Sequence, residues 1–324
     1  MPGPKTHHIF YKQLKSLLNQ AVLNGLQYYD EYSIFAQGHD FLIYYDFYKI
    51  FNTKRLETNL WYSDKLQEFY FPEFVYSYIK YAQESDITRN EQVRLFLYGY
   101  ISHHILDAYT HPLIIYYSGD HIRNPHNATW QHGIMENLID IYFMKTIEDK
   151  NPGNYQVHKD FSVNKKDLSP ELKVVLNVSL QEIYRFQSGG EVFCKAMAQV
   201  KPFMRIFKYD PTGIKRVMFD KLDPMLKGTS SFSYNRNTSE VQRLLNVHHE
   251  VWQNPMSGIT SDKSFMELYG DALHITADIV NRLDSVWQSG TADWELIQSI
   301  IPNIASTHGL ACGQRLKINY KKQW

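Results

Sequence analysis

Apolar side chains recur at intervals of three and four along most of this 324-residue chain, a period that suits helices and not strands. Over 9–29 the stripe is Ile9, Leu14, Leu17, Leu18, Ala21, Val22 and Leu26. The segments 65–84, 91–110 and 127–148 repeat it, the last through Ile134, Leu138, Ile141 and Phe143. Further helices are expected at 170–200, 214–226, 239–252, 262–287 and 292–307. Gly189-Gly190, Gly228, Ser230–Ser233 and Asn254-Pro255 punctuate them. Phe41–Tyr48 is apolar and reads either way, while 150–166 and 201–237 read as connections. No internal repeat or low-complexity tract interrupts the pattern. The expectation is an all-α fold, one multi-helix domain over 1–324.

Charge and composition narrow the function. Lys and Arg number 34 against 34 Asp and Glu, so a general nucleic-acid binder, which needs a basic surface to displace counterions, is disfavoured. Two cysteines exclude a disulfide scaffold and a cysteine-based zinc site. No run of 18 apolar residues offers a membrane span, and the opening residues lack an apolar signal core, so a cytoplasmic location is the simplest expectation. The basic residues Arg315, Lys317, Lys321 and Lys322 read as a solvated tail.

Histidine is distributed unevenly. Of 14 in the chain, six fall between positions 103 and 132, where an even spread would place about one. His103, Asp107 and His111 follow one another at i, i+4, which on a helix lines one face in steps of about 6 Å. Pro112 disfavours helical geometry at its predecessor and so predicts a helix end at His111. His132 and Glu136 form a second i, i+4 pair, with Asp140 one turn on. Two antiparallel helices carrying such pairs can surround a shared metal with nitrogen and oxygen donors. His104 points about 100° away from His103, and with His121 and His126 it reads as a bystander. His248 and His249 sit together before Trp252. The other standard chemistries leave no trace: there is no Gly-x-Ser-x-Gly elbow, no Gly-x-x-x-x-Gly-Lys loop and no Gly-x-Gly-x-x-Gly.

These residues resemble the zinc-dependent phospholipase C family, whose fold is shared by S1/P1-type nucleases. Thr6-His7-His8-Ile-Phe resembles the family's early Thr-His-Tyr-x-Phe, and Gln37-Gly38-His39-Asp40 its Gln-Gly-Pro-Asp turn. The segment Gly99 to Pro112 is similar to its Gly-x-x-x-His-x-x-x-Asp-x-x-x-His-Pro core, and His132 to Asp140 to its His-x-x-x-Glu-x-x-x-Asp helix. The resemblance implies two or three zinc ions held between helices. One would take His103, Asp107 and Asp40; a second His111, His132 and Glu136; a third would share Asp107 and take His7. It also implies that Asp40 orients or deprotonates the attacking water. The sequence departs from the pattern twice. Tyr62 lies where another zinc-ligating histidine is expected, and a phenol binds metal poorly until it loses a proton of pKa about 10. His39 replaces the usual proline and can supply the missing nitrogen. Asp140 is expected to steady a ligating imidazole by a hydrogen bond.

The resulting expectation is a zinc-dependent phosphoester hydrolase, phospholipase C-like, acting on a phospholipid head group or a small soluble phosphoester. The alternatives are a nuclease or phosphomonoesterase on the same scaffold, or a catalytically degenerate metal-binding member. Replacing His132 or Glu136 by alanine should remove one metal ion per chain and most activity, as read by elemental mass spectrometry and a phosphoester assay.

Overall fold

The computed structural model describes residues 3–49, 52–119, 125–163, 165–226, 229–234 and 238–314. The basic tail and the side chains of His121 and His126 lie outside them. Helix α1 (Pro4–Leu14) opens on a proline, whose missing N–H costs nothing in a first turn. The single helix expected over 9–29 is not formed. The chain leaves α1 through a 3₁₀ turn and makes only the short α2 (Gln20–Leu23) before Leu26. A 3₁₀ segment, Ser33–Asp40, then leads into α3 (Phe41–Tyr44), which settles the ambiguous apolar run as helical over its first half.

Helices α4 (Thr53–Glu68) and α5 (Phe71–Glu84) replace the continuous 65–84 helix. Tyr70 adopts a left-handed conformation between them (φ 61°), and Pro72 starts the second. Helix α6 (Glu91–Ser118) is capped by the Asn90 side chain, which accepts from the Gln92 and Val93 N–H groups, a contact worth about 1 kcal/mol. It does not stop at His111 as expected. Pro112 is accommodated inside it because Leu113, Ile114, Ile115 and Tyr117 are all buried beyond it, and continuing the helix keeps them so. Helix α7 (Pro125–Thr146) returns alongside α6.

Helices α8 (Pro170–Tyr184) and α9 (Gly189–Phe207) divide the expected 170–200 helix at left-handed Arg185 and Ser188. Helix α10 (Ile214–Leu226) occupies its expected span. Of the helix expected over 239–252 only α11 (Val241–Leu244) forms. Asn246 and His249 take positive φ, and Asn246 spends its side chain on the backbone of Glu250, Asp262 and Lys263. A two-residue pair of strands follows, β1 (Trp252–Gln253) and β2 (Thr260–Ser261). Helix α12 (Phe265–Ser289) starts with a Ser264/Glu267 capping box, and α13 (Trp294–Ile300) ends the regular structure.

Helix α6 is the axis of the molecule. Nearly every residue in it is buried, under the 3₁₀ segment, α1, α7, α8 and α12. The apolar side chains around it form one contiguous cluster. Its first turns are tied to α12 by a buried triad: Arg94 Nη2 lies 2.5 Å from Asp284 Oδ1, and Tyr98 accepts from Arg94 Nε while donating to the same carboxylate. Among the described residues no helix is long and apolar enough to cross a membrane. Arg94→Met should leave Asp284 buried without its cation and lower stability by about 3–5 kcal/mol, read from the urea midpoint.

Candidate metal centre

Four elements converge on the middle of α6. Its face presents His103, Asp107 and His111; α1 brings His7; the 3₁₀ segment brings His39 and Asp40; α7 brings His132 and Glu136. The 3₁₀ segment can lie this close only because Gly38 has no side chain. Its φ is +48°, and a Cβ there would sit 2.5 Å from His103 Cγ.

The donor atoms fall into three groups, each within 4.8 Å: His7, His103 and Asp107; His39, Asp40 and His103; His111, His132 and Glu136. In the first, Asp107 bridges the edges of two imidazoles, with Oδ1 3.2 Å from His7 Nε2 and Oδ2 3.2 Å from His103 Nε2. The two rings stack at 3.8 Å. In the second, His39 Nδ1 is 3.5 Å from Asp40 Oδ1, and His103 Nε2 is 3.8 Å from Asp40 Oδ2. In the third, His132 Nε2 is 2.9 Å from Glu136 Oε1 and 3.3 Å from His111 Nε2. His132 and Glu136 are 18% and 21% exposed, whereas His7, His39, His103 and Asp107 are sealed, so the centre opens to solvent along α7.

Charge and tautomer follow from these surroundings. Burial drives His7 down to about 4 and His39 and His111 well below the usual imidazole range, leaving them neutral, the form that binds metal. Burial alone would raise Asp107, but His103 and His7 hold it well below the carboxylate range. Asp40, with less compensation, is pushed by burial up to about 7. His103 Nδ1–H donates to the Ala36 carbonyl at 2.7 Å, and His111 Nδ1–H to the Ser306 carbonyl at 2.9 Å. In both rings Nε2 is thereby the nitrogen that faces the cluster, the arrangement by which outer carbonyls orient metal-binding imidazoles. Against the effect of burial, Asp107 and Asp40 raise the pKa of His103, so a metal there would displace a proton from its Nε2.

Several polar atoms in the cluster are buried without a hydrogen-bond partner: both ring nitrogens of His7, His39 Nδ1, His103 Nε2, Asp40 Oδ1 and both oxygens of Asp107. An unsatisfied buried polar atom costs about 1–3 kcal/mol. A divalent cation among neutral imidazoles and carboxylates would offset that cost, and a nitrogen–oxygen donor set of this kind suits zinc.

Two residues considered for supporting or substitute roles at the centre lie elsewhere. Tyr62 is not brought to the cluster: its ring stacks on Phe186 at 3.9 Å and its hydroxyl donates to the Arg185 carbonyl. Asp140 bonds no imidazole. It is fully buried under the start of α1, accepting from the Lys5 and Thr6 N–H groups, the Thr6 hydroxyl at 2.9 Å and Tyr234 at 3.2 Å. It thus fixes the first turn of α1, and with it His7, by backbone bonds and the favourable placement of an anion at a helix N-terminus. His104, as expected, stays apart, stacked on Phe71 and donating from Nε2 to the Ile304 carbonyl. Sequence reasoning missed Thr6, Tyr234 and Ser306. Their bonds reach 134, 94 and 195 residues along the chain, and no local pattern signals such a contact.

A family profile for zinc dependent phospholipase C matches residues 6–186, which is more than half of the chain. The chain belongs to that family, and the all-α fold and the histidine- and carboxylate-lined centre on α6 agree with a zinc-dependent hydrolase scaffold. No curated protein and no solved structure shows a significant match. Asp140→Ala should loosen α1 and weaken zinc binding by about 10- to 100-fold, measured by chelator competition, although Asp140 touches none of the three donor groups.

Proposed function

We propose that this protein is a zinc-dependent phosphoester hydrolase of the phospholipase C kind, cleaving a phosphodiester by in-line attack of water. The observation that carries the reading is the set of buried, partnerless nitrogen and oxygen atoms shared by His7, His39, Asp40, His103 and Asp107 beside the half-open His111–His132–Glu136 group. His103, with Nε2 alone available, would join either His7 and Asp107 or His39 and Asp40 around an ion, the remaining pair being completed by other donors. His111, His132 and Glu136 would hold another, giving two or three Zn2+ per chain. Bound zinc would supply Lewis-acid activation of water and charge neutralisation at the phosphoryl group.

The remaining work falls to the chain. Asp107, ionised against the edges of two imidazoles, balances the charge of neighbouring sites. Asp40 orients the attacking water and accepts its proton at Oδ1, the oxygen that no protein donor occupies. The partly exposed His132 and Glu136 mark the side from which a phospholipid head group or small phosphoester would enter. The sealed walls on the α1 side exclude bulk water and so strengthen every charge interaction within.

The test is elemental mass spectrometry on protein purified without a metal-affinity tag, alongside hydrolysis of a choline phospholipid and of bis(4-nitrophenyl) phosphate. Two or three zinc ions, with turnover abolished by chelation and restored by zinc, are expected. Asp107→Ala should lose at least one ion and more than the ~100-fold that losing an outer partner costs. A chain that takes up no zinc, or takes it up and cleaves neither substrate, would overturn the reading.

A further inference from the structure

The segment from Ile304 to Gly313 lies beyond the part of the chain that the family profile covers, yet it reaches the centre. It is a compact loop, closed by the Ala305 N–H to the Leu310 carbonyl and the Gly309 N–H to the Ala305 carbonyl. It is fastened to the end of α4, where Glu68 accepts from the Thr307 hydroxyl and pairs with His308 Nε2 at 2.9 Å. It docks on α6 where Pro112 offers no N–H to the Ala108 carbonyl. Gly309, at φ +68°, packs so close to that oxygen that a Cβ would lie 2.5 Å from it.

At the tip of this loop Ser306 is fully buried and touches two of the three donor groups. Its carbonyl accepts from His111 Nδ1 at 2.9 Å. Its Oγ lies 3.1 Å from His39 Nε2 and 3.4 Å from the Gln67 carbonyl, which also accepts the Ser306 N–H. With the hydroxyl hydrogen turned to that carbonyl, Oγ accepts from a proton on His39 Nε2, a placement that Asp107 Oδ2 at 3.8 Å also favours. Nδ1, buried and without a hydrogen-bond partner, carries the lone pair beside Asp40.

We propose that Ser306 is a positioning residue that sets the metal-directed nitrogen of one imidazole in each of two donor groups, Nδ1 of His39 and Nε2 of His111. The proposal rests on the metal-binding reading above, and it makes the loop a working part of the centre. Through it, an element from the far end of the described chain decides whether His39 can serve in place of a ligand from α4, where Tyr62 is turned away. The two imidazoles face their donor groups from opposite sides of one residue, so displacing the loop would disturb both.

Two measurements test this. In metal-free wild-type protein labelled with 15N-histidine, long-range 1H–15N correlation should show His39 protonated on Nε2 and His111 on Nδ1; the opposite tautomer at either ring overturns the proposal without any variant having to fold. In the second, zinc affinity is measured by chelator competition. Ser306→Ala should weaken one ion by about 10- to 100-fold while the His111 group, held by the backbone carbonyl, keeps its ion. Ser306→Thr should restore the affinity, and in a His39→Ala background Ser306→Ala should add nothing. Unchanged affinity in Ser306→Ala, or an equal loss with His39 already removed, would refute the role. Wild-type protein with the expected tautomers and no zinc uptake would instead refute the metal-binding reading, and with it the proposed hydrolase.

Discussion

Asp107 is a fully buried carboxylate set against the edges of two mutually stacked imidazoles, and much of the molecule can be understood as the means of keeping it there. A lone carboxylate in such a place would protonate, since desolvation penalises the charged form by several kcal/mol. His7 and His103 prevent that, and each must in turn be held. His103 is held by the Ala36 carbonyl, which requires the 3₁₀ segment to press against α6. His7 is held by the start of α1, which Asp140 anchors from α7. The charge at the centre is thus supported through three elements, the 3₁₀ segment, α1 and α7, each packed against α6 and α1 packed against the other two.

That support has a cost in satisfied hydrogen bonds. In a typical core, polar atoms are paired, whereas here a group of ring nitrogens and carboxylate oxygens faces inward without partners. Elsewhere such atoms occur singly, as at Glu73 Oε2 and Arg55 Nε, and the Arg94–Tyr98–Asp284 triad is mutually bonded. What distinguishes the centre is that so many of these atoms are gathered at one place.

The sequence made α6 and α7 legible because the His103, Asp107, His111 and His132, Glu136 spacings coincide with the helical period, so chemistry and fold send the same signal. The centre's other contributors were read only through resemblance, since His7, His39 and Asp40 are brought in by tertiary contacts that leave no periodic trace. Three of the boundaries that failed share a cause: Tyr70, Arg185, Ser188 and Asn246 enter left-handed backbone without being glycine, whereas the 9–29 stripe breaks with no positive φ. At Pro112 the error ran the other way: a breaker is present, and burial of the residues beyond it carries the helix through. Asp140 was placed correctly on its helix but given the wrong partner, because spacing fixes a face and says nothing of what another element lays against it.

The loop that carries Ser306 also bears on the order of events during synthesis. Most of the donor residues emerge from the ribosome within the first 140 positions, long before the residue that orients His39 and His111 is made. Until position 306 is translated, His39 and His111 lack the contacts that Ser306 makes to them, whereas His103 can already bond the Ala36 carbonyl. Contacts of such long sequence separation are late events in folding. Under the role proposed for Ser306, the geometry of the centre stays incomplete while the chain is being built, and a product truncated before the loop would lack the contacts to His39 and His111.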